Sequence, residues 1–159
     1  MIQPRIINLS EKKLVGIKLK MTLAENKTFE LWKSFMPRRD EVKNILNIDL
    51  ISLQVYNEPL KFGDFNQEFE KWACKEVSNF ANIPDEMLPF TLKEGLYAVF
   101  DYKGLNTNPA IFIYIFGTWL PNSNYLLDDR PHFEVLGDKY KNGDPNSEEE
   151  IWIPIKQKN

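Results

Sequence analysis

The chain has 159 residues, 20 basic against 23 acidic, and a formal net charge of −3, the size of one ordinary domain. Its lysines and arginines are spread along the sequence, whereas phosphate binding needs concentrated positive charge, so no direct nucleic-acid partner is expected. No apolar run approaches the roughly 20 residues of a membrane helix, and the opening Met-Ile-Gln-Pro-Arg lacks the basic-then-apolar pattern of a secretion signal. A cytoplasmic location without a membrane partner follows as an expectation. The single cysteine, Cys74, and single histidine, His132, fall short of the about four soft ligands of structural zinc. No metal and no cofactor are expected, and Cys74 reads as a small buried thiol. Aromatic residues are the outlier at 13%. They either pack a core or supply flat walls for a ligand pocket.

In chain order, Leu14 to Met21 alternates, with Val15, Ile17, Leu19 and Met21 on one face, which predicts a half-buried strand. Phe29 to Pro37 predicts a helix with Phe29, Trp32, Phe35 and Met36 as its apolar face, Thr28 as N-cap and Pro37 as its limit. Arg38 to Asn47 reads as a polar segment with room for another helical turn. Leu50 to Tyr56 alternates again. Phe69 to Val77 is a weaker strand with Trp72 and Cys74 on one face. Pro84 and Pro89 break the chain before a strand at Leu96 to Tyr102.

Ala110 to Leu120 fits a buried strand by its isoleucines and a helix by its length. An internal repeat decides for helix. With Pro37 set against Pro121, Phe35 meets Trp119, Trp32 meets Phe116 and Phe29 meets Ile113, and each half reads strand, helix, strand, strand. Strands at His132 to Leu136 and Ile151 to Ile155 complete the second half. Glu148-Glu149-Glu150 reads as a solvated loop end, and Pro154 as the mark of an edge strand or a strand end. The fold class is α+β: a duplicated βαββ unit with pseudo-twofold symmetry, a curved antiparallel sheet, two main helices and a central ligand cleft. The whole of 1–159 reads as one domain, with pseudo-repeats at about 1–80 and 90–159.

The order Gly-Leu-Tyr-Ala-Val-Phe, turn, helix, Trp-Leu-Pro-Asn-Ser-Asn-Tyr, Phe-Glu, Ile-Trp-Ile-Pro-Ile resembles the GyrI-like small-molecule-binding domain, the effector-binding domain of AraC- and MerR-type regulators. The resemblance covers nearly the whole chain. It implies a duplicated βαββ fold with a central cavity and, in multidrug-binding members, a buried glutamate at the Phe-Glu position that contacts cationic aromatic drugs; here that position is Glu134. The DNA-reading module of those regulators has no counterpart before Leu14 or after Ile155, so a stand-alone member related to transcription regulation is expected. The resemblance also implies an alternative, since some GyrI-like proteins look like hydrolases of strained cyclopropane-containing polycyclics, with a pocket glutamate as general base.

Glu134 therefore has two readings: a solvated acid on a sheet, or a carboxylate facing an aromatic cavity, where a ligand cation would offset the cost of its burial. Alternation places His132, Glu134 and Leu136 on one face, with Leu136 as an apolar floor. His132 and Glu134, about 7 Å apart along a strand, are too far apart for a short catalytic hydrogen bond. Trp32 and Trp119 on the matching helices, Tyr56 on a semi-polar strand face, and Tyr97 and Trp152 among apolar neighbours are candidate walls, with core packing the competing account of each. No catalytic motif is present. The ligand-binding set is thus Glu134, Trp32, Tyr56, Tyr97, Trp119, Leu136 and Trp152, for a lipophilic and cationic small molecule. Nothing in the sequence marks a protein partner.

Overall fold

The computed structural model describes residues 2–159. Nine strands form one antiparallel sheet: β1 (Arg5–Leu9), β2 (Lys12–Met21), β3 (Leu50–Tyr56), β4 (Phe69–Val77), β5 (Leu88–Leu92), β6 (Gly95–Lys103), β7 (Tyr125–Leu127), β8 (His132–Leu136) and β9 (Glu148–Gln157). Their order is β1-β6-β9-β8-β3-β4-β2-β5, with β7 on the end of β9. The order is symmetric about the β8–β3 pair. On one side run β9, β6 and β1; on the other, β4, β2 and β5. Each half is a strand, a helix and two strands, as the repeat alignment requires, and each outer edge carries a short strand connected to the other half or to the linker.

Three short strands escaped the sequence pattern. β5 contains Pro89, but it pairs only with β2, so a missing ladder donor costs nothing on its free side. β1 and β7 have five and three residues, too few for alternation to show. Conversely, β9 is a long inner strand. It begins at Glu148, so the three glutamates are strand and not solvated loop, and Pro154 is neither at an edge nor at an end. Pairing of β9 with β8 stops at Phe133–Trp152, which leaves Pro154 beyond that ladder and paired only with Tyr97 of β6.

Cross-strand partners share a face. One face of the sheet carries Leu14, Ile51, Leu53, Trp72, Cys74, Leu92, Tyr97, Val99, Phe133 and Trp152, packed into one apolar cluster. The Cys74 thiol lies wholly inside it, with its Sγ 3.5 Å from the Ile51 carbonyl, and burial pushes its pKa upward. The native protein should therefore be inert to a thiol-specific disulfide reagent at pH 8 and react once denatured; fast reaction of the native state would contradict this packing.

The opposite face carries the helices. α1 (Thr28–Phe35) buries Leu31 and Phe35 against Val15, Ala73 and Val77. Phe29 is 75% exposed, so the predicted apolar face is corrected. Phe29 stands about 200° around the helix from Leu31, away from the sheet. Thr28 is the first helical residue and not the cap: Asn26 Oδ1 accepts from its N–H at 2.9 Å. A 3₁₀ turn, Met36–Glu41, follows, with Pro37 in its first turn. The second helical segment comprises α2 (Ala110–Tyr114), a π-helical turn (Ile115–Trp119) and α3 (Leu120–Asn122). Ile111 and Ile115, four apart, are buried on Ala98, Phe100, Ile151 and Ile153.

Candidate functional site

The helix α1 covers β2 and β4, and the second helical segment covers β6 and β9. Between them lie the two central strands, β3 and β8, whose helix-side residues, Leu50 apart, lie outside both helix cores. By register these form rows: Lys71, Gln54 and His132 in one; Ala73, Ser52, Glu134 and Ile151 in the next; Leu50 and Leu136 beyond; and Phe69 with Tyr56 at the other end. The strip of sheet between the two helices thus carries polar and aromatic side chains in an otherwise apolar face.

Glu134 sits at the centre of this floor. Protein surrounds its carboxyl, yet the residue keeps some accessible surface. Burial raises its pKa, opposed by the charge of Lys71 and by a hydrogen bond from Glu149. Glu149 is the diagonal neighbour of Glu134 across the β8–β9 ladder, two residues from its direct partner Ile151. Burial, the Glu134 charge and that hydrogen bond push Glu149 up to about 8. Two carboxyls bond to each other only through a proton, so the pair shares one, and burial holds the pKa of both acids up. Lys71 approaches from β4; its ammonium donates to Thr28 Oγ1 at 3.1 Å, and burial lowers its pKa. Glu134 is therefore not free of positive company, but the ammonium is turned to the helix hydroxyl.

Aromatic groups close the other end. Tyr56 packs on Phe69 and on His132, both at 5.3 Å between ring centroids, and its hydroxyl is pushed up to about 12 by burial and by Glu134. Phe116 from the π-helical turn faces His132 at 6.2 Å and stacks on Phe62 at 4.9 Å, so the segment between β3 and β4 reaches across to the second helix. Burial and the nearby Arg130 lower the His132 pKa to about 3; the imidazole is neutral at any physiological pH and contributes a ring, not a charge. At the acidic end an open concavity of about 380 Å³, bordered by Asp49, Tyr102, Asp138 and Glu148, reaches Glu149 from outside.

Glu134, Tyr56 and Leu136 share one face of the sheet, with Tyr56 and Leu136 at opposite ends of it and Glu134 between. Trp32 lies on α1 one turn beyond Thr28 and packs against the α1 core, its ring 6.0 Å from that of Phe35. Tyr97 and Trp152 are corrected. Trp152 pairs with Phe133 and neighbours Ile151, so it points to the face opposite Glu134, where it stacks on Phe133 at 5.0 Å. Tyr97 is buried in the same cluster; its hydroxyl donates to the Pro131 carbonyl at 2.7 Å, and Arg130 covers its ring at 4.7 Å. Trp119 is also displaced from the cleft: Phe100 meets its edge at 5.2 Å and Tyr125 stacks on it at 6.3 Å, so its ring is used in the second helix core. The residues missed from sequence are Lys71, Glu149 and Phe116.

A duplicated βαββ sheet with an acid between its helices defines an α+β domain of GyrI-like fold. The sequence profile of the family described as "Cass2: Integron-associated effector binding protein" matches residues 5–155, and the chain belongs to that family. Among curated proteins it is similar to the transcriptional regulator BrlR of Pseudomonas aeruginosa, 26% identical over 155 residues. That match takes in 95% of this chain and 54% of BrlR, so the chain spans about half the length of that relative. Similar solved structures include an integron cassette protein from the mobile metagenome of Vibrio cholerae (TM-score 0.69, 16% identity, 98% and 97% of the two chains). SAV2435 bound to tetraphenylphosphonium (TM-score 0.68, 18% identity, 97% and 94%) and the EcmrR C-terminal domain (TM-score 0.70, 15% identity, 99% of both) share the fold as well.

Proposed function

We propose that this protein binds lipophilic aromatic cations in the cleft between its two helices, as a multidrug-type effector-binding protein. Glu134 is the charge partner, Tyr56, Phe116 and Trp32 are the walls, and Leu136 is the floor. The observation that carries this reading is the Glu134 carboxyl, enclosed by protein, with the Tyr56 and Phe116 rings packed on its neighbour His132. Such a group gains most from a soft, weakly hydrated cation, whose charge offsets its desolvation and whose rings stack on the walls. The tetraphenylphosphonium in SAV2435, a protein of the same fold, supports that ligand class.

Tetraphenylphosphonium should quench the intrinsic tryptophan fluorescence saturably, while the neutral triphenylphosphine oxide binds at least tenfold more weakly. Equal affinity for the two would remove the carboxylate from the account. The acid pair also favours a second reading. A protonated and an ionised carboxyl in contact form an acid–base couple, which a hydrolase of electrophilic polycyclics would use, Glu134 taking a proton from water. Turnover of such compounds that vanishes in Glu134→Gln would establish it.

A further inference from the structure

We infer that Glu149 holds a proton which a bound cation displaces, so that this site exchanges one proton for each monocation it takes up. The inference rests on the cation-binding reading above and adds to it a second acid and a linkage. The geometry is a register fact: Glu149 and Glu134 are diagonal neighbours on adjacent strands, both on the helix side of the sheet, and their carboxyls are hydrogen-bonded. That bond exists only while one proton is shared. The titratable and charged groups facing the pair are Lys71 from β4, Tyr56 from β3, His132 on β8 itself, Tyr102 of β6 opposite Glu149, and Tyr140 from the segment after β8, with Asp49, Asp138, Lys139 and Glu148 around the concavity that Glu149 borders. Neutral His132, and Tyr56 and Tyr140, each pushed up to about 12, do not change charge between pH 5 and 9. Lys71 is bonded to Thr28. Two protons are thus placed to leave, the one the acids share and the one on Lys71, whose pKa burial lowers, and Glu149→Gln tells them apart.

A cation seated on Glu134 does electrostatically what the proton does. Two such charges side by side repel, and the proton, unlike the ligand, has water to go to. The exchange balances as protein–H plus L⁺ giving protein–L⁺ plus H⁺, the proton passing to buffer. The sign follows: while the pair is protonated, rising pH strengthens binding about tenfold per unit, and the dependence flattens above about 8, where Glu149 has already lost its proton.

Calorimetric titration with tetraphenylphosphonium at pH 7, in phosphate and in Tris, reads the protons released from the difference in buffer ionisation heats. The result expected is close to one proton per ligand for the wild type and close to none for Glu149→Gln. Binding without release, or release that survives Glu149→Gln, overturns the inference and leaves the cation site standing. Carboxyl carbon NMR of the unliganded protein provides an independent arm: one glutamate should titrate at about 8 and move down in Glu134→Gln, with burial still holding it above the ordinary carboxylate range. Ordinary titration of every glutamate overturns the shared proton whatever the ligand does. Absence of any tetraphenylphosphonium binding beside an intact titration near 8 overturns the cation reading and the exchange together.

Discussion

Replacing Glu134 by glutamine should weaken tetraphenylphosphonium binding ten- to a hundredfold. A cation centre about 6 Å from the carboxylate, at an effective dielectric of about 20, gains about 3 kcal/mol, and part of this is returned because glutamine is cheaper to bury. The neighbouring acid softens the loss. Without the Glu134 charge and its hydrogen bond, the Glu149 pKa falls while burial, the largest cause raising it, remains, so Glu149 replaces part of the lost charge nearer its acidic end of the sheet. The double variant Glu134→Gln/Glu149→Gln should therefore bind worse than either single one, with affinity for triphenylphosphine oxide little changed. Tyr97→Phe is the control. It removes a hydroxyl bonded to the Pro131 carbonyl on the far face, should cost about 1 kcal/mol of stability, and should leave binding untouched. Titrations of the four proteins check the ordering; a Tyr97→Phe that loses binding while Glu134→Gln keeps it would invert the assignment of faces.

Gly16→Ala should be the most damaging single methyl in the chain. A Cβ at this position of β2 would lie 2.0 Å from the Ala73 carbonyl oxygen and 2.6 Å from both Cα and Cβ of Cys74. Those atoms belong to the adjacent, buried strand β4, so no flexible side chain can turn aside. Relief means prising β2 from β4, at a cost of about 3 kcal/mol or more, a large share of a typical stability of about 5–15 kcal/mol. Gly117→Ala makes the comparison fair. A Cβ there meets nothing within 4 Å, and in a helical segment alanine stabilises by up to about 1 kcal/mol. Denaturant unfolding of both variants reads the contrast; a Gly16→Ala midpoint equal to the wild type would contradict the strand spacing.

The β3, β4 and β8 strands were readable because each alternates over five or more residues, and alternation is how a half-buried strand writes itself into sequence. The repeat settled the ambiguous Ala110 to Leu120 stretch, and it held more than was taken from it. It aligned Trp119 with Phe35, which is buried in the helix core, and Phe116 with Trp32. Reading the pairs as equivalents would have sent Trp119 to the core and brought Phe116 to the cleft. Glu149 was also within reach. It continues the alternation of Ile151, Ile153 and Ile155 on the face that Glu134 shares, but three consecutive glutamates look like solvent, and only the β8 register turns one of them inward. Lys71 carried no local signal. A lysine in a strand is ordinarily exposed, and its approach to Glu134 depends on two ladders, β4 on β3 and β3 on β8, that no short window contains. Tyr97 and Trp152 were misplaced because both faces of this sheet are covered, so burial alone does not say which side an aromatic ring fills.

A crystal of the complex with tetraphenylarsonium, measured at the arsenic edge, tests the central claim most directly. An anomalous peak between α1 and the π-helical turn, within about 6 Å of the Glu134 carboxylate, is the predicted result. A peak confined to the outer surface, or to the Tyr97–Trp152 face with the cleft undisturbed, would contradict it.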